Sequence, residues 1–184
     1  MLLVQLDPEV AAAVLHELDR NAEIAQRFQN PAASTVAAML ARPLNCPRTS
    51  SMGRVFDAAA GLLGISQTLA YEAQAAMLLE QAATVFVDAH GWPEPLPSGF
   101  VISDAGQLDL LPLLASLIDA ADAAQAAASF HATLVAALTD WVLWAAKSTG
   151  LTTLAWGGGC FLNALLATRL RQSLAQHGIM LLAP

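Results

Sequence analysis

Three consecutive glycines interrupt an apolar run near the carboxyl terminus, in the segment LTTLAWGGGCFLN. The residues before them (151–156) predict a short strand, and ALLATRLRQSLAQ (164–176) after them predicts a helix. A second apolar run, IMLLAP, follows His177-Gly178 and predicts another strand. A strand, a helix and a strand in this order form a βαβ unit, whose strands are usually parallel. This unit limits the fold class to α/β.

Most of the chain before this unit carries apolar residues at helical spacing. We predict helices over 8–29, within 30–45, from Ser50 or Ser51 to 64, and over 66–87, 111–127 and 128–147. Asn30 and Ser66 are predicted as helix caps, with Pro31 at the first helical position. The run FVISDAGQLDL instead predicts two short strands around a turn. The predicted fold is therefore α/β and helix-rich.

The composition is unusually apolar for a chain of 184 residues, because 56% of the residues are hydrophobic and 12% are charged. Either much of the chain is buried or it packs against a further surface. The best candidate for a membrane span, FHATLVAALTDWVLWAA, is interrupted by Asp140. An acid at the centre of a bilayer costs about 2.5–3.5 kcal/mol. We therefore predict a buried helix and no membrane span.

Charge and residue spacing exclude several function classes. Fifteen acidic against eight basic residues give a formal charge of −7, so binding of nucleic acid is not expected. Cys46 and Cys160 form no CxxC pair and the four histidines form no HxxxH or HExxH motif, so we predict no metal site. The start, MLLVQLDPEVAAAV, lacks the basic region of a signal peptide, which favours a cytoplasmic protein.

The glycine turn is the first candidate binding element. Gly158 and Gly159 allow the backbone to approach a ligand closely, and the following helix N-terminus favours an anion. Asn163, one turn further on, carries an amide that can bind a polar edge. The segment is neither a GxGxxG motif nor a Walker loop. A tight turn in which glycine serves only packing explains the spacing equally well.

The second candidate element is the segment SSMGRVFDAAAGLLG. Gly53 lies in the first turn of the predicted helix, and Asp57 lies four residues on, on the same face. Glycine has no side chain and so leaves room for a ligand beside the carboxylate. The carboxylate can accept hydrogen bonds from two hydroxyls of that ligand, such as those of a ribose. The alternative is an acid that is stabilised by the helix macrodipole alone.

Five segments in a fixed order carry a resemblance: PRTSSMGRVFDAAAGLLG, YEAQAAMLLEQAA, SFHATL, GGGCFLN and HGIMLLAP. Together they resemble the carboxy-terminal part of the HypF family, the carbamoyltransferases of nickel–iron hydrogenase maturation. The resemblance runs from about residue 40 to Pro184. We accordingly divide the chain into a helical N-terminal segment (1–40) and the C-terminal part of an incomplete carbamoyltransferase domain (41–184).

The resemblance implies part of an actin-like, RNase-H-type (ASKHA) nucleotide-binding fold. It implies that ATP or carbamoyl-adenylate is bound, and that the carbamoyl group passes to the C-terminal cysteine of a HypE-type partner protein. By the same resemblance, Gly53, Asp57 and Asn163 hold the nucleotide, beside the phosphate turn of Gly158 and Gly159. Catalytic residues are not assigned.

The sequence also departs from the family. The family's histidine-rich metal motif lies upstream of the region that this chain resembles, so we expect a fragment that is inactive alone. The segment WGGGC replaces the Ser-Gly-Gly-Val that is usual in the family, which puts Trp156 and Cys160 beside the phosphate turn. Two alternatives remain: a relative of the tRNA threonylcarbamoyl-transferases, which share the GGxxxN element, and a non-catalytic helical interaction module.

Overall fold

The computed structural model describes residues 7–28, 32–42, 46–65 and 73–182. In chain order the elements are α1 (Asp7–Glu17), α2 (Ile24–Arg27), α3 (Ala33–Ala41), α4 (Met52–Leu62), α5 (Gln74–His90), β1 (Val101–Ile102), β2 (Leu108–Asp109), α6 (Leu111–Leu117), α7 (Ala123–Thr149), β3 (Thr153–Ala155), α8 (Ala164–Gln176) and β4 (Met180–Leu182). Two 3-10 helices, Asn21–Glu23 and Gly159–Leu162, precede α2 and α8. The helix-rich α/β class predicted from the sequence is confirmed.

The long helix α7 lies at the centre of the fold. It packs against α4, α5, α6 and α8, while α1 packs on α3, α4 and α6. Phe130 and Leu134 of α7 are fully buried, together with Phe56 of α4 and Leu79 of α5. Fully burying a side chain of this size stabilises a fold by about 1.5–3 kcal/mol. The core is therefore helical, and the strands lie outside it.

The predicted βαβ unit is present. β3 and β4 pair in parallel, with Leu154 opposite Leu181. Between them α8 buries Leu166, Leu170 and Leu174, which are spaced four residues apart and so share one face. The second pair, β1 and β2, is antiparallel and confirms the predicted hairpin.

The hairpin between β1 and β2 is held by two tryptophans of α7. The indole N–H of Trp141 donates to the carbonyl oxygen of Gly106 at 2.7 Å. A Cβ at Gly106 would lie 2.2 Å from the ring of Trp144, and the φ of Gly106 is +76°. Glycine is required here on both grounds, since other residues clash and rarely adopt this φ.

Three helix boundaries differ from prediction. The helix predicted over 8–29 ends at Glu17, because Asp19 adopts a left-handed φ of 58° before the chain continues into α2. The boundary predicted between 127 and 128 lies at 118–122, because Asp122 caps α7 by accepting from the N–H of Ala124 at 2.8 Å and of Gln125 at 3.1 Å. The predicted caps Asn30 and Ser66, and Pro31, lie outside the described residues.

The third boundary concerns α5, predicted over 66–87. Its described part begins at Gln74 and continues to His90, where Gly91 ends the helix at a φ of 84°. Residues 66–72 lie outside the described part. Glycine adopts this positive φ without the steric cost that other residues have there.

The length and composition of α7 suffice for a membrane span, contrary to the expectation that no stretch qualifies. However, 67% of its most apolar window is buried inside the protein. Core helices of soluble proteins can be as long and as apolar as α7, so this burial supports a buried core helix.

Ion pairs link the amino-terminal helices to the α6–α7 connection. Asp119 accepts from Arg20 at 2.8 Å and from Arg27 at 3.2 Å, and Glu23 pairs with both arginines. Hydrogen bonds from Arg20 lower the pKa of the carboxyl groups of Glu23 and Asp119. The described residues 7–28 therefore pack on the rest of the fold through α1 and through this cluster.

Candidate functional site

The first half of the candidate site lies on α4. Ser51 stands at the N-cap position, but its hydroxyl makes no capping hydrogen bond, contrary to prediction. A Cβ added to Gly53 would meet only the Ser51 hydroxyl, at 3.6 Å, so space is open at this turn. Asp57 is 7% exposed, and its Oδ2 pairs with Nη1 of Arg54 at 3.0 Å. A ligand that binds this carboxylate must therefore share it with Arg54.

The second half is the glycine turn between β3 and α8. Gly157, Gly158 and Gly159 are exposed, and a Cβ at any of them would meet no atom within 4 Å. Only Gly158 has a φ that disfavours other residues, +104°. Close packing therefore does not explain these glycines. They border open space that a ligand can enter.

Asn163 joins the glycine turn to α8. Its Oδ1 accepts from the N–H of Leu166 at 2.9 Å, which makes it the N-cap of α8. Its Nδ2 donates to Nε2 of His131 at 3.0 Å. The side chain is buried, with 7% of the residue exposed. Both amide atoms are thus engaged within the protein, and one N–H and one lone pair remain for a ligand.

His131 of α7 is the buried partner of Asn163. It is 0% exposed, and its Nδ1 donates to the carbonyl oxygen of Ala127 at 2.8 Å. Because Nδ1 carries the proton, Nε2 is free to accept from Asn163. Burial lowers the pKa of His131 to about 4, so the ring is neutral at pH 7. No local sequence pattern indicates the contact of His131 with Asn163, which lies 32 residues further along the chain.

Glu80 of α5 was missed by sequence reasoning. Its Oε1 accepts from the N–H of Ala164 at 2.6 Å and of Leu165 at 3.4 Å, at the N-terminus of α8. The sequence predicted that this helix N-terminus favours an anion, and in the structure a carboxylate of the chain itself lies there.

The two halves meet. α4 packs against the 3-10 helix Gly159–Leu162, and Asp57 contributes to raising the pKa of the Cys160 thiol, after the larger effect of burial. The ring of Phe56, next to Asp57, makes a T-shaped contact with the ring of His131 at a centroid distance of 5.8 Å. The structure thus brings the Gly53–Asp57 turn to the same region as the glycine turn and Asn163.

An aromatic stack borders the glycine turn. The rings of Trp156 and Phe161 stack with centroids 4.4 Å apart, and the guanidinium of Arg171 lies 5.3 Å from the Trp156 ring centroid. The stack brings Trp156, which precedes the glycines, into contact with Phe161 of the 3-10 helix that begins at the last of them. These contacts explain how a tryptophan is accommodated beside the glycine turn.

The structure gives no metal centre within the described residues, since no three His, Cys, Asp or Glu side chains are grouped there. A cavity of about 300 Å³ lies between the carboxyl half of α7 and β3, lined by apolar residues such as Trp141, Leu151 and Ile179. None of the predicted site residues lines it. The candidate site is instead the open region between α4 and the glycine turn.

Comparison with known families identifies what this arrangement is part of. Residues 7–184 match the family model described as the second subdomain of the Kae1-like domain of carbamoyltransferases of the HypF type. The chain belongs to the HypF family of carbamoyltransferases. The resemblance carried by the five sequence segments is thereby confirmed, and it extends further towards the amino terminus than residue 40.

Several HypF proteins are similar to this chain. A HypF homolog of Cupriavidus necator is 47% identical over 185 residues, covering 95% of this chain and 47% of the relative. The carbamoyltransferase HypF2 of the same organism is 46% identical over 196 residues, covering 94% of this chain and 24% of the relative. The chain therefore spans about half of one relative and a quarter of the other.

The fold is also that of solved HypF structures. A crystal structure of full-length HypF in a phosphate- and nucleotide-bound form matches with a TM-score of 0.79 at 24% identity, over 95% of this chain and 23% of that one. HypF of T. kodakarensis matches with a TM-score of 0.73 at 21% identity, and the match covers 95% of this chain and 24% of the T. kodakarensis chain. At these identities the comparison establishes the fold.

Proposed function

We propose that this chain is the nucleotide-binding part of a HypF-type carbamoyltransferase, and that the open region between α4 and the glycine turn holds the adenylate. The observation that carries the proposal is the packing of α4, which bears Asp57, against the 3-10 helix that begins at the last of three glycines around which space is open. A buried carboxylate and exposed backbone N–H groups are complementary to the two chemically different parts of a nucleotide, its ribose and its phosphate.

Each residue has a defined role in this proposal. Asp57 accepts the ribose hydroxyls, and Gly53 leaves space for the sugar. Gly158 and Gly159 present their N–H groups to the phosphate. Asn163 donates its remaining amide N–H to a hydrogen-bond acceptor on the polar edge of the ligand. The carboxylate of Glu80 repels a phosphate from the N-terminus of α8, which favours the glycine turn as the phosphate position.

The reaction that we propose follows from family membership. ATP or carbamoyl-adenylate occupies the site, and the carbamoyl group passes to the C-terminal cysteine of a HypE-type protein in the maturation of nickel–iron hydrogenase. The nucleotide in one solved HypF structure supports nucleotide binding by the family. The formal charge of −7 supports a protein or small-molecule acceptor over tRNA.

The proposed complete fold is actin-like and of the RNase-H type, with the β3–β4 pair as part of a larger sheet. Exposed apolar side chains support this, since Leu151, Leu162, Met180 and Leu182 are each more than half exposed. Apolar surface of this kind is typical of an interface. We propose that it packs against further parts of a HypF protein, in the cytoplasm.

Calorimetric titration of ATP and of AMP into the purified chain tests the nucleotide site. We expect weak binding, because the chain spans only part of its relatives and offers fewer contacts. Asp57→Ala removes charged hydrogen bonds worth about 1.5–3 kcal/mol each, which is roughly a ten- to hundredfold loss of affinity. Asp140→Ala, which removes an exposed acid on α7, is the matched control.

Two outcomes would contradict the proposal. Equal affinity of the wild type and Asp57→Ala would remove Asp57 from the site and leave the helix macrodipole as its explanation. No binding by the folded wild type would favour a helical interaction module. Circular dichroism of each variant confirms that the compared proteins are folded.

A further inference from the structure

His131 lies between the two halves of the candidate site without being exposed to a ligand. On one side its Nε2 accepts from the amide of Asn163, the cap of α8. On another side its ring makes a T-shaped contact with Phe56, the neighbour of Asp57 on α4. Its residue exposure is 0%. It is therefore a buried side chain that contacts both the cap of α8 and α4, which bear proposed ligand residues.

The hydrogen bonds of His131 fix the orientation of the Asn163 amide. Nδ1 donates to the Ala127 carbonyl oxygen, so Nε2 carries a lone pair and requires a donor. A reversed amide would place its oxygen against this lone pair and its N–H₂ against the N–H of Leu166. Both contacts would be repulsive in a buried site, where a lost hydrogen bond is costly. Only one amide orientation satisfies both neighbours.

We propose that His131 is a positioning residue: it holds the Asn163 amide in one orientation and thereby sets which donor the end of the glycine turn presents to a ligand. The proposal deepens the proposed function and rests on it for the identity of the ligand as a nucleotide. It assigns no direct contact between His131 and the ligand. The orientation of Asn163 can be measured without any ligand.

Three variants distinguish an effect on the orientation of the Asn163 amide from an effect on the stability of the fold. His131→Leu removes the acceptor at nearly the same size, and His131→Gln restores an acceptor oxygen at a similar reach. Thr139→Val is the matched control, because the hydroxyls of Thr139 of α7 and Ser173 of α8 are hydrogen-bonded at 2.9 Å. The control thus breaks a part-buried contact between the same two helices, about two turns from His131 along α7.

The first measurement is nuclear magnetic resonance of the full chain labelled with ¹⁵N. We expect the wild-type His131 ring to show the tautomer protonated at Nδ1, and one Asn163 amide proton to show a hydrogen-bond coupling to Nε2. A ring protonated at Nε2, or an Asn163 amide that rotates freely in the wild type, would overturn the proposal. This outcome does not depend on nucleotide binding.

The second measurement is titration of ATP and AMP, with a thermal melt of each variant. We expect His131→Leu to weaken binding about tenfold and His131→Gln to recover most of that loss. We expect Thr139→Val to bind as tightly as the wild type, although its melting temperature falls by about as much as that of His131→Leu. An equal loss in His131→Leu and Thr139→Val would overturn the positioning role. If the wild type binds neither nucleotide, the proposed function fails and the magnetic resonance result decides the positioning role alone.

Discussion

The carboxylate of Glu80 accepts a hydrogen bond from the backbone N–H of Ala164 at 2.6 Å, across 84 residues of sequence. This contact places a negative charge from α5 at the positive end of α8, directly after the glycine turn. Asn163 caps the same helix end through Leu166. The N-terminus of α8 is therefore satisfied by the chain, and two other helices, α5 and α7, hold it through Glu80 and His131.

We expect Glu80→Ala to destabilise the fold, because two N–H donors lose a charged acceptor. A hydrogen bond to a charged group contributes about 1.5–3 kcal/mol, and the lower end applies to a half-buried carboxylate. For a chain of this size that corresponds to a fall in melting temperature of about 3–6 °C, measured by calorimetry. Glu94→Ala, an exposed acid in the loop after α5, is the control and should be neutral. A Glu80→Ala melt equal to the control melt would contradict this role.

Gly159→Ala tests whether a ligand approaches Gly159, because the substitution should change ligand affinity without destabilising the fold. Gly159 has no left-handed φ, and a Cβ there would meet nothing within 4 Å. We expect the melting temperature to stay the same or rise slightly, since Gly→Ala at a compatible position stabilises by about 0.4–1 kcal/mol. Affinity for ATP should fall, because the methyl group enters the proposed phosphate position. Unchanged affinity in a titration would show that no ligand approaches this glycine.

Gly106→Ala should destabilise the β1–β2 hairpin by more than backbone strain alone. Its Cβ would lie 2.2 Å from the Trp144 ring at a φ of +76°, whereas Gly150, with a φ of +73°, has nothing within 4 Å. Gly150→Ala therefore measures the cost of the left-handed φ, which is about 1–2 kcal/mol. The difference between the two melts measures the clash. Equal melts would mean that the indole moves aside freely.

Stability should fall as the pH is lowered from 6.5 towards 4, because of His131. Its pKa is lowered from 6.5 to about 4 in the fold, so the unfolded chain binds a proton in this interval that the folded chain does not. Unfolding then becomes easier by up to about 1.4 kcal/mol per pH unit, and the effect saturates below pH 4. Urea unfolding of the wild type and His131→Gln at several pH values measures it. The variant should show a shallower fall in this interval, and parallel curves would contradict the assignment.

The sequence by itself determined the fold class, the βαβ unit and the family. The bounds of α8 were predicted at both residues, because a glycine turn before the helix and His177-Gly178 after it are local signals. The order of the five sequence segments indicated the HypF family, which the family match confirmed. The roles of Gly53, Asp57, Gly158, Gly159 and Asn163 towards a nucleotide stay predictions.

Only the tertiary structure decided which side chains meet. Glu80 and Ala164 are separated by 84 residues, and His131 and Asn163 by 32, so no local pattern indicates either contact. Periodicity shows which face of a helix is buried, but it does not show which buried polar atoms will pair across helices. Those pairings follow from the packing of α5, α7 and α8, because a polar atom excluded from water must find its partner wherever the fold places one.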